Sequence, residues 1–481
     1  MGRKLAGTPE SKEERRALME GGRRYIVAYG CARAWATLTF TGAGAGAGSA
    51  VLDAASWSFN PHITFDVAFI AVSLLLALAF RRFVPLNENR GLRAVAVAAM
   101  VAASVAVAAA LWWPAASFGL MVAGSLAAGV GYGLFLLLAA EVLVTFNLLR
   151  IFLFLAAAQL LGVVITFFCQ GMAPAQAQVI LLVLPVLAAL YLQNCYAHVP
   201  ATDRPRRGVP KFSYPWKLFA LYAMYAFAYG MRASQLTAGA GRHSSLSTGI
   251  LMAVLFATAY FASQRFNIGL LYRSPVVLMV CGFLLIPAES LLGAAASSWL
   301  ISISFSLMSF LVMFLLYDIS KRLGVAIVAF MAIKNAEQLF ELLGGAATGA
   351  LGLAGLPAAT ENLVITAVVS VLILASTVLL FSEKELASKW GVDILEQGGL
   401  VERSAEEERT AERVAELAAS CRLSPREQEV LALLAAGKTG RQVQQELFIA
   451  EGTFKAHTRH IYEKAGVNSR KELFEMLGIS S

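Results

Sequence analysis

Stretches of about twenty apolar residues recur along this chain, and each is long enough to cross the hydrocarbon core of a bilayer as a helix. They fall near 25–45, 64–84, 93–113, 117–143, 148–170, 176–197, 215–235, 247–266, 275–293, 297–317, 325–352 and 361–381. Twelve membrane spans are therefore predicted. The composition agrees, with 58% hydrophobic and 15% charged residues among 481. Two spans break the pattern: "TGAGAGAGS" after Phe40 has poor helix propensity, and the eleventh run contains Lys334 and Glu337. The first 24 residues mix Arg and Lys with Glu and lack a short apolar core with a small-residue cleavage site, so no removable signal peptide is expected.

Basic residues sort by alternate connections. One set holds the N-terminus, Arg81, Arg82, Arg90, Arg93, Arg150, the basic loop after Ala197, Arg265, Arg273, Lys321, Arg322, Lys384 and Lys389, whereas the other holds only Arg232 and Arg242. The positive-inside rule then puts both termini in the cytoplasm, in a bacterial cell membrane. The expected divisions are a basic N-terminus (1–24), a first half of six spans (25–197), a basic loop (198–214), a second half of six spans (215–381), a linker helix (382–421) and a C-terminal domain (422–481). The six-plus-six layout around "AHVPATDRPRRGVPKFSYP" resembles the major facilitator superfamily of transporters over roughly residues 20–382. That likeness is one of topology; the segment "RRFVPLNENRGLRA" between the second and third spans departs from the family's Gly-x-x-x-Asp-Arg signature.

After Phe381 the chain becomes polar, and Leu400 to Ser420 is rich in Ala, Glu and Arg. Val414, Leu417, Ala418 and Cys421 give one narrow apolar stripe, which suits a helix packing on the next domain better than a coiled coil, since no heptad pattern is sustained. From Leu423, Ser424, Pro425 and Glu427 spell a capping box with proline at the first helical position. A first helix is placed to end at Gly437, a second spans about Thr439 to Leu447, and a third runs from about Glu451 to Ala465. A fourth is capped by Asn468 or Ser469. Short helices with a tight turn between the second and third make a helix-turn-helix. The predicted fold is thus all-α, a twelve-helix membrane bundle followed by a four-helix DNA-binding domain.

The segments "LSPRE", "EVL", "LFI", "GTFKAH" and "IYEKAGV" resemble the DNA-binding domain of the LuxR/GerE family at fixed spacing. The chain departs from that pattern at Ala450, where a capping Ser or Thr is usual, at Phe454, where Val is usual, and at Gln444, where a small Ala packs. The resemblance implies that Lys455, Ala456 and Arg459 reach base edges, where long cations donate to guanine and a methyl group meets thymine. Thr453, His457 and Lys464 are the phosphate candidates. His457 reads equally well as a packing or capping residue, and Lys464 as a solvated lysine favoured by the helix dipole. Leu473, Phe474, Met476 and Leu477 match the family's dimer surface, with core packing as the alternative. Nine Lys and Arg against seven Glu from Arg422 onward leave a net charge of only +2, so two copies on a two-fold site of double-stranded DNA are expected.

In the bundle, Lys334, Glu337 or Gln338, and Glu341 share a helix face in "AIKNAEQLFELL". They read either as an ion-pair network that fixes helix packing or as a ligand or coupling site. Tyr222, Tyr225, Tyr229 and Arg232 form a stripe on the seventh span, and Arg33 and Glu141 lie in the first and fourth. By the major-facilitator resemblance these three spans line a central cavity, here suited to a small aromatic or anionic molecule; a tyrosine stripe that only packs is the alternative. The five cysteines have no CxxC spacing, and neither a metal cluster, a phosphate-binding glycine loop nor a Ser/His/Asp set is legible. No cofactor and no enzyme are indicated. The expectation is a membrane-tethered regulator that senses a small molecule among its lipids and binds DNA as a homodimer; the alternatives are a secondary transporter with a regulatory DNA-binding tail, or a tail that binds protein.

Overall fold

Each apolar run satisfies its own backbone as a helix, because hydrocarbon supplies no other partner. The computed structural model describes residues 12–40, 61–169, 172–199, 204, 214–235, 245–261, 268–289, 294–380, 405–421, 423–435, 439–447 and 450–478. The basic loop 198–214 lies mostly outside them, as do linker residues 382–404 and Gly437. The chain forms two compact units, one within Glu10–Val401 and one that contains Glu402–Ser481.

In the first unit the helices are α1 (Lys12–Phe40), α2 (Pro61–Phe83), α3 (Arg90–Trp112), α4 (Ser117–Leu143), α5 (Leu148–Cys169) and α6 (Pro174–Ala197). The second half holds α7 (Trp216–Gln235), α8 (Ser245–Phe261), α9 (Ile268–Leu284), α10 (Ala294–Leu323), α11 (Ile327–Asn335), α12 (Glu337–Leu353) and α13 (Ala358–Leu380). Each helix of the bundle overlaps a predicted span, with two corrections: α1 begins at Lys12, inside the stretch expected as a basic N-terminus, and the eleventh span is two helices that break at Ala336. Lys334 sits in the last turn of α11 and Glu337 in the first turn of α12, the signs that the two helix dipoles favour at those ends. Among the described residues, seven helices are long and apolar enough to cross a membrane by length and composition: α2 to α6, α10 and α13. The remainder are shorter or carry polar groups turned into protein, where apolar character is not required.

The two halves repeat one packing scheme. In the first, α1 lies against α4, α5 and α6, α4 against α2 and α3, and α3 against α6. In the second, α7 lies against α10, α12 and α13, α10 against α8 and α9, and α9 against α13. Contacts between halves obey the same exchange, α2 meeting α11 and α12 as α5 meets α8. The equivalent helices α4 and α10 are the enclosed ones, with 78% and 72% of their apolar windows buried against at most 44% elsewhere. Large apolar side chains such as Leu78, Phe261 and Val378 point outward, as a lipid-facing surface requires.

Glycines set the closest crossings of this repeat. Gly30 on α1 and Gly162 on α5 face each other, and a Cβ on Gly162 would stand 3.2 Å from the Gly30 carbonyl oxygen. At the equivalent crossing the backbones are closer still: a Cβ on Gly230 (α7) would lie 2.0 Å from the Glu341 oxygen, and one on Gly344 (α12) 2.1 Å from the Phe227 oxygen. The tripeptide Ala-Tyr-Gly occurs at both 28–30 and 228–230, a sequence trace of the repeat.

The second unit comprises α14 (Ala405–Ser420), α15 (Pro425–Ala435), α16 (Gly440–Leu447), α17 (Glu451–Ala465) and α18 (Arg470–Met476). The predicted capping box forms, with Ser424 N donating to Glu427 Oε2 at 2.6 Å, and Ser469 rather than Asn468 is the N-cap of α18. Gly466 ends α17 in the left-handed region at φ 69°. Val414 and Ala418 join Val430, Leu431, Leu434, Val443, Ile461 and Leu473 in one core, so α14 packs as part of this unit. Its Arg413 donates to the Leu477 and Gly478 carbonyls, at 2.9 and 3.2 Å, and so caps the last helix.

Replacing Gly344 with Val should lower the thermal stability of the detergent-solubilised bundle by about 1–3 kcal/mol or more, because the obstacle is backbone. Gly349 on the same helix has open space around it, and its replacement by Ala should not lower the melting temperature.

Candidate functional site

The helix-turn-helix presents α17. Ile461 is fully buried and fixes one face of that helix to the core, whereas Lys455 and Arg459 on the opposite side are 72% and 70% exposed. Ala456 lies between them, half-buried, and Thr453 is exposed on the first turn. His457 is half-buried. Ala450 offers no side-chain cap, as its methyl dictates, and the first turn is held by backbone, with Phe454 N donating to the Ala450 carbonyl at 3.0 Å. The larger Phe454 finds its space over Gly440, where a Cβ would come within 2.8 Å of the ring. Of the four dimer candidates, Met476 alone is exposed; Leu473, Phe474 and Leu477 fill the core of their own unit, because so small a domain needs that face of its last helix.

Lys464 also takes a different place from the one expected. Its ammonium donates to Glu427 Oε2 at 2.6 Å, the same oxygen that caps α15, so a phosphate would compete with a buried carboxylate for it. His460 Nδ1 lies 3.6 Å from the other Glu427 oxygen. The Lys464 hydrogen bond, opposed by burial and helped by Ser424, holds the Glu427 carboxyl down at about 2. Glu427 thus joins the start of α15 to the end of α17. The capping pattern revealed half of this role; the partner 37 residues onward carries no local signal.

In the bundle a second polar site lies where the halves meet. Lys334 Nζ is 3.1 Å from Glu337 Oε1, with side chains 10% and 9% exposed, and stands 5.3 Å from the centre of the Tyr222 ring. Arg33 on α1 lies within electrostatic reach of Glu337 and of Tyr132 on α4. The Tyr222 hydroxyl lies against the Glu337 carboxylate without closing a hydrogen bond, and Glu337 Oε2 has no hydrogen-bond partner. Arg33, Tyr222, Lys334 and Glu337 therefore form one buried cluster drawn from both halves, with Glu341 near Tyr222. Tyr29 and Tyr132 belong to it as well, and the charge pattern alone did not mark them.

The other bundle candidates stand apart. Glu141 accepts hydrogen bonds from Leu86 N, Asn87 N and Asn87 Nδ2 at 2.7–2.8 Å, and so anchors the connection between α2 and α3. Arg232 pairs with Glu289 and donates to Ser297 and Ser298, tying the end of α7 to the start of α10. Tyr229 stacks on Phe305 with centroids 4.6 Å apart, on the ring that also stacks with Tyr222 of the cluster at 5.9 Å, and Tyr225 faces Thr377 on α13. These rings pack helices together. Among the described residues no group of three or more potential metal ligands occurs.

A carboxyl held at about 2 against an ordinary 4.5 adds stability that is fully present above 4.5 and is lost as the pH falls toward 2. Glu427→Gln should therefore lower the melting temperature of the second unit at neutral pH. The difference from wild type should close between pH 4.5 and about 2, as followed by circular dichroism of the full chain.

Residues 422–477 match the GerE family, described as bacterial regulatory proteins of the luxR family. A putative HTH-type transcriptional regulator, YhjB of Escherichia coli K12, is 41% identical over 59 residues, 12% of this chain and 30% of that protein. The oxygen regulatory protein NreC of Staphylococcus aureus is 42% identical over 53 residues, 11% of this chain and 24% of its own length. The chain thus spans less than a third of either relative. Over 78% of its length it is similar to the crystal structure of a bacterial homologue of the iron transporter ferroportin, in the outward-facing state with soaked iron; that chain is 99% covered, at TM-score 0.52 and 13% identity. A weaker likeness, at TM-score 0.40, is to the major facilitator superfamily transporter FucP. The C-terminal segment is a LuxR-type helix-turn-helix domain, and the helices before it share the fold of the ferroportin homologue.

Proposed function

We propose that this chain is a membrane-embedded transcription regulator whose bundle senses a small molecule and whose α17 reads promoter DNA. The observation that carries the reading is the exposed pair Lys455 and Arg459 on a helix-turn-helix joined in one chain to a major-facilitator fold. Lys455, Ala456 and Arg459 contact bases, and Thr453 and His457 contact phosphates. The positive-inside asymmetry supports cytoplasmic termini in a bacterial cell, where the DNA lies. Two copies bind a two-fold site, and on α18 the exposed Met476 remains for their contact. The ligand binds the cluster of Arg33, Tyr222, Lys334 and Glu337, whose unmet hydrogen-bonding capacity lies between the halves, and shifts their packing.

A transporter that reports its own flux is the second reading, favoured by the fold shared with the ferroportin homologue.

Crosslinking of the intact protein in its native cell, followed by sequencing of recovered DNA, should give sharp promoter peaks. Those peaks should vanish in the Lys455→Glu, Arg459→Glu variant; identical maps would sink the regulator reading. Lys334→Ala should leave the peaks in place and abolish their response to growth conditions. Loss of substrate accumulation in vesicles carrying that variant would instead favour the transporter.

A further inference from the structure

All three Lys and Arg residues of α17 meet a glutamate. Lys464 is engaged with the buried Glu427 and belongs to the scaffold. The other two pairs lie on the exposed face: Lys455 Nζ is 2.7 Å from Glu451 Oε1, and Arg459 Nε is 3.7 Å from Glu463 Oε1. All four side chains are at least 65% exposed, so these pairs add little to folding. Their consequence is electrostatic. They place two negative charges beside the two cations expected to meet DNA, within the screening length of about 8 Å at physiological salt. Attraction to the phosphate backbone depends on the net number of cations presented, whatever the base sequence. A base contact is instead short and directional, and it survives a neighbouring carboxylate that the cation leaves behind.

We propose that Glu451 and Glu463 are specificity-setting residues: they cancel the sequence-independent pull of α17 on DNA, so that occupancy depends on base contacts of Lys455 and Arg459. The proposal rests on the DNA-reading function of α17. It agrees with the net charge of only +2 from Arg422 onward. Glu451 also lies in the first turn of a helix that lacks a side-chain cap, whereas Glu463 has no part in starting the helix, which makes Glu463 the cleaner probe.

The test measures binding of the full chain in detergent to a short random-sequence duplex across a salt series. Glu463→Gln should bind about three- to tenfold tighter near 0.1 M salt, with a salt dependence steeper by up to about one counterion. Glu451→Gln should follow, and Lys455→Gln with Arg459→Gln should weaken binding. A structural role for the glutamates would shift melting temperature without steepening the salt dependence. If the cation variants weaken binding but Glu463→Gln does not tighten it, the glutamates are bystanders and the inference fails alone. If the cation variants also change nothing, α17 is not the DNA face and both readings fall.

Discussion

Hydrocarbon offers no hydrogen-bond partner, so a chain that crosses it must pair its backbone within each helix and turn its charges inward. Much of the bundle follows from that constraint. Leu78, Phe261 and Val378 face outward, and Lys334, Glu337 and Arg33 gather at the seam between the halves. A buried charge is tolerated when a partner and a helix end favour it; the break at Ala336 supplies both, placing Lys334 at one helix C-terminus and Glu337 at the next N-terminus. Where two such helices must cross closely, association depends on small residues rather than on apolar burial, and Gly230 with Gly344 lets the backbones touch.

The second unit solves the opposite problem, that of building a core from little apolar surface. It recruits α14 through Val414 and Ala418, and Arg413 then satisfies carbonyls at the end of α18. Glu427 serves two ends at once, capping α15 and receiving Lys464 from α17. Helix α17 is thereby fixed along Ile461 and at its last turn, which leaves its outer face free to carry the charges that a ligand would meet.

Several features were legible without coordinates because they are local. Apolar runs of span length fixed the helices of the bundle, and the Ser424–Glu427 spacing fixed the start of α15. The stripe of Val414, Leu417, Ala418 and Cys421 pointed to a helix packed on its neighbour. The charges of α17 are equally readable in the sequence. The acceptor of Lys464 is distant in sequence, and an apolar helix face such as that of Leu473, Phe474 and Leu477 reads equally as a dimer surface or as core, because it does not say what covers it.

By itself, then, the sequence determined periodicity, composition and motif: twelve apolar runs in two halves, a polar break, and a helix-turn-helix with its capping box and basic third helix. These depend on neighbours within a few residues. Only the tertiary structure decided which polar residues meet. It put Arg33 with Glu337, sent Glu141 to Asn87 and Arg232 to Glu289, and split the eleventh span at Ala336. The physical reason is that helix positions record the side of a helix a residue occupies, whereas the element opposite that side is set by how the whole bundle packs.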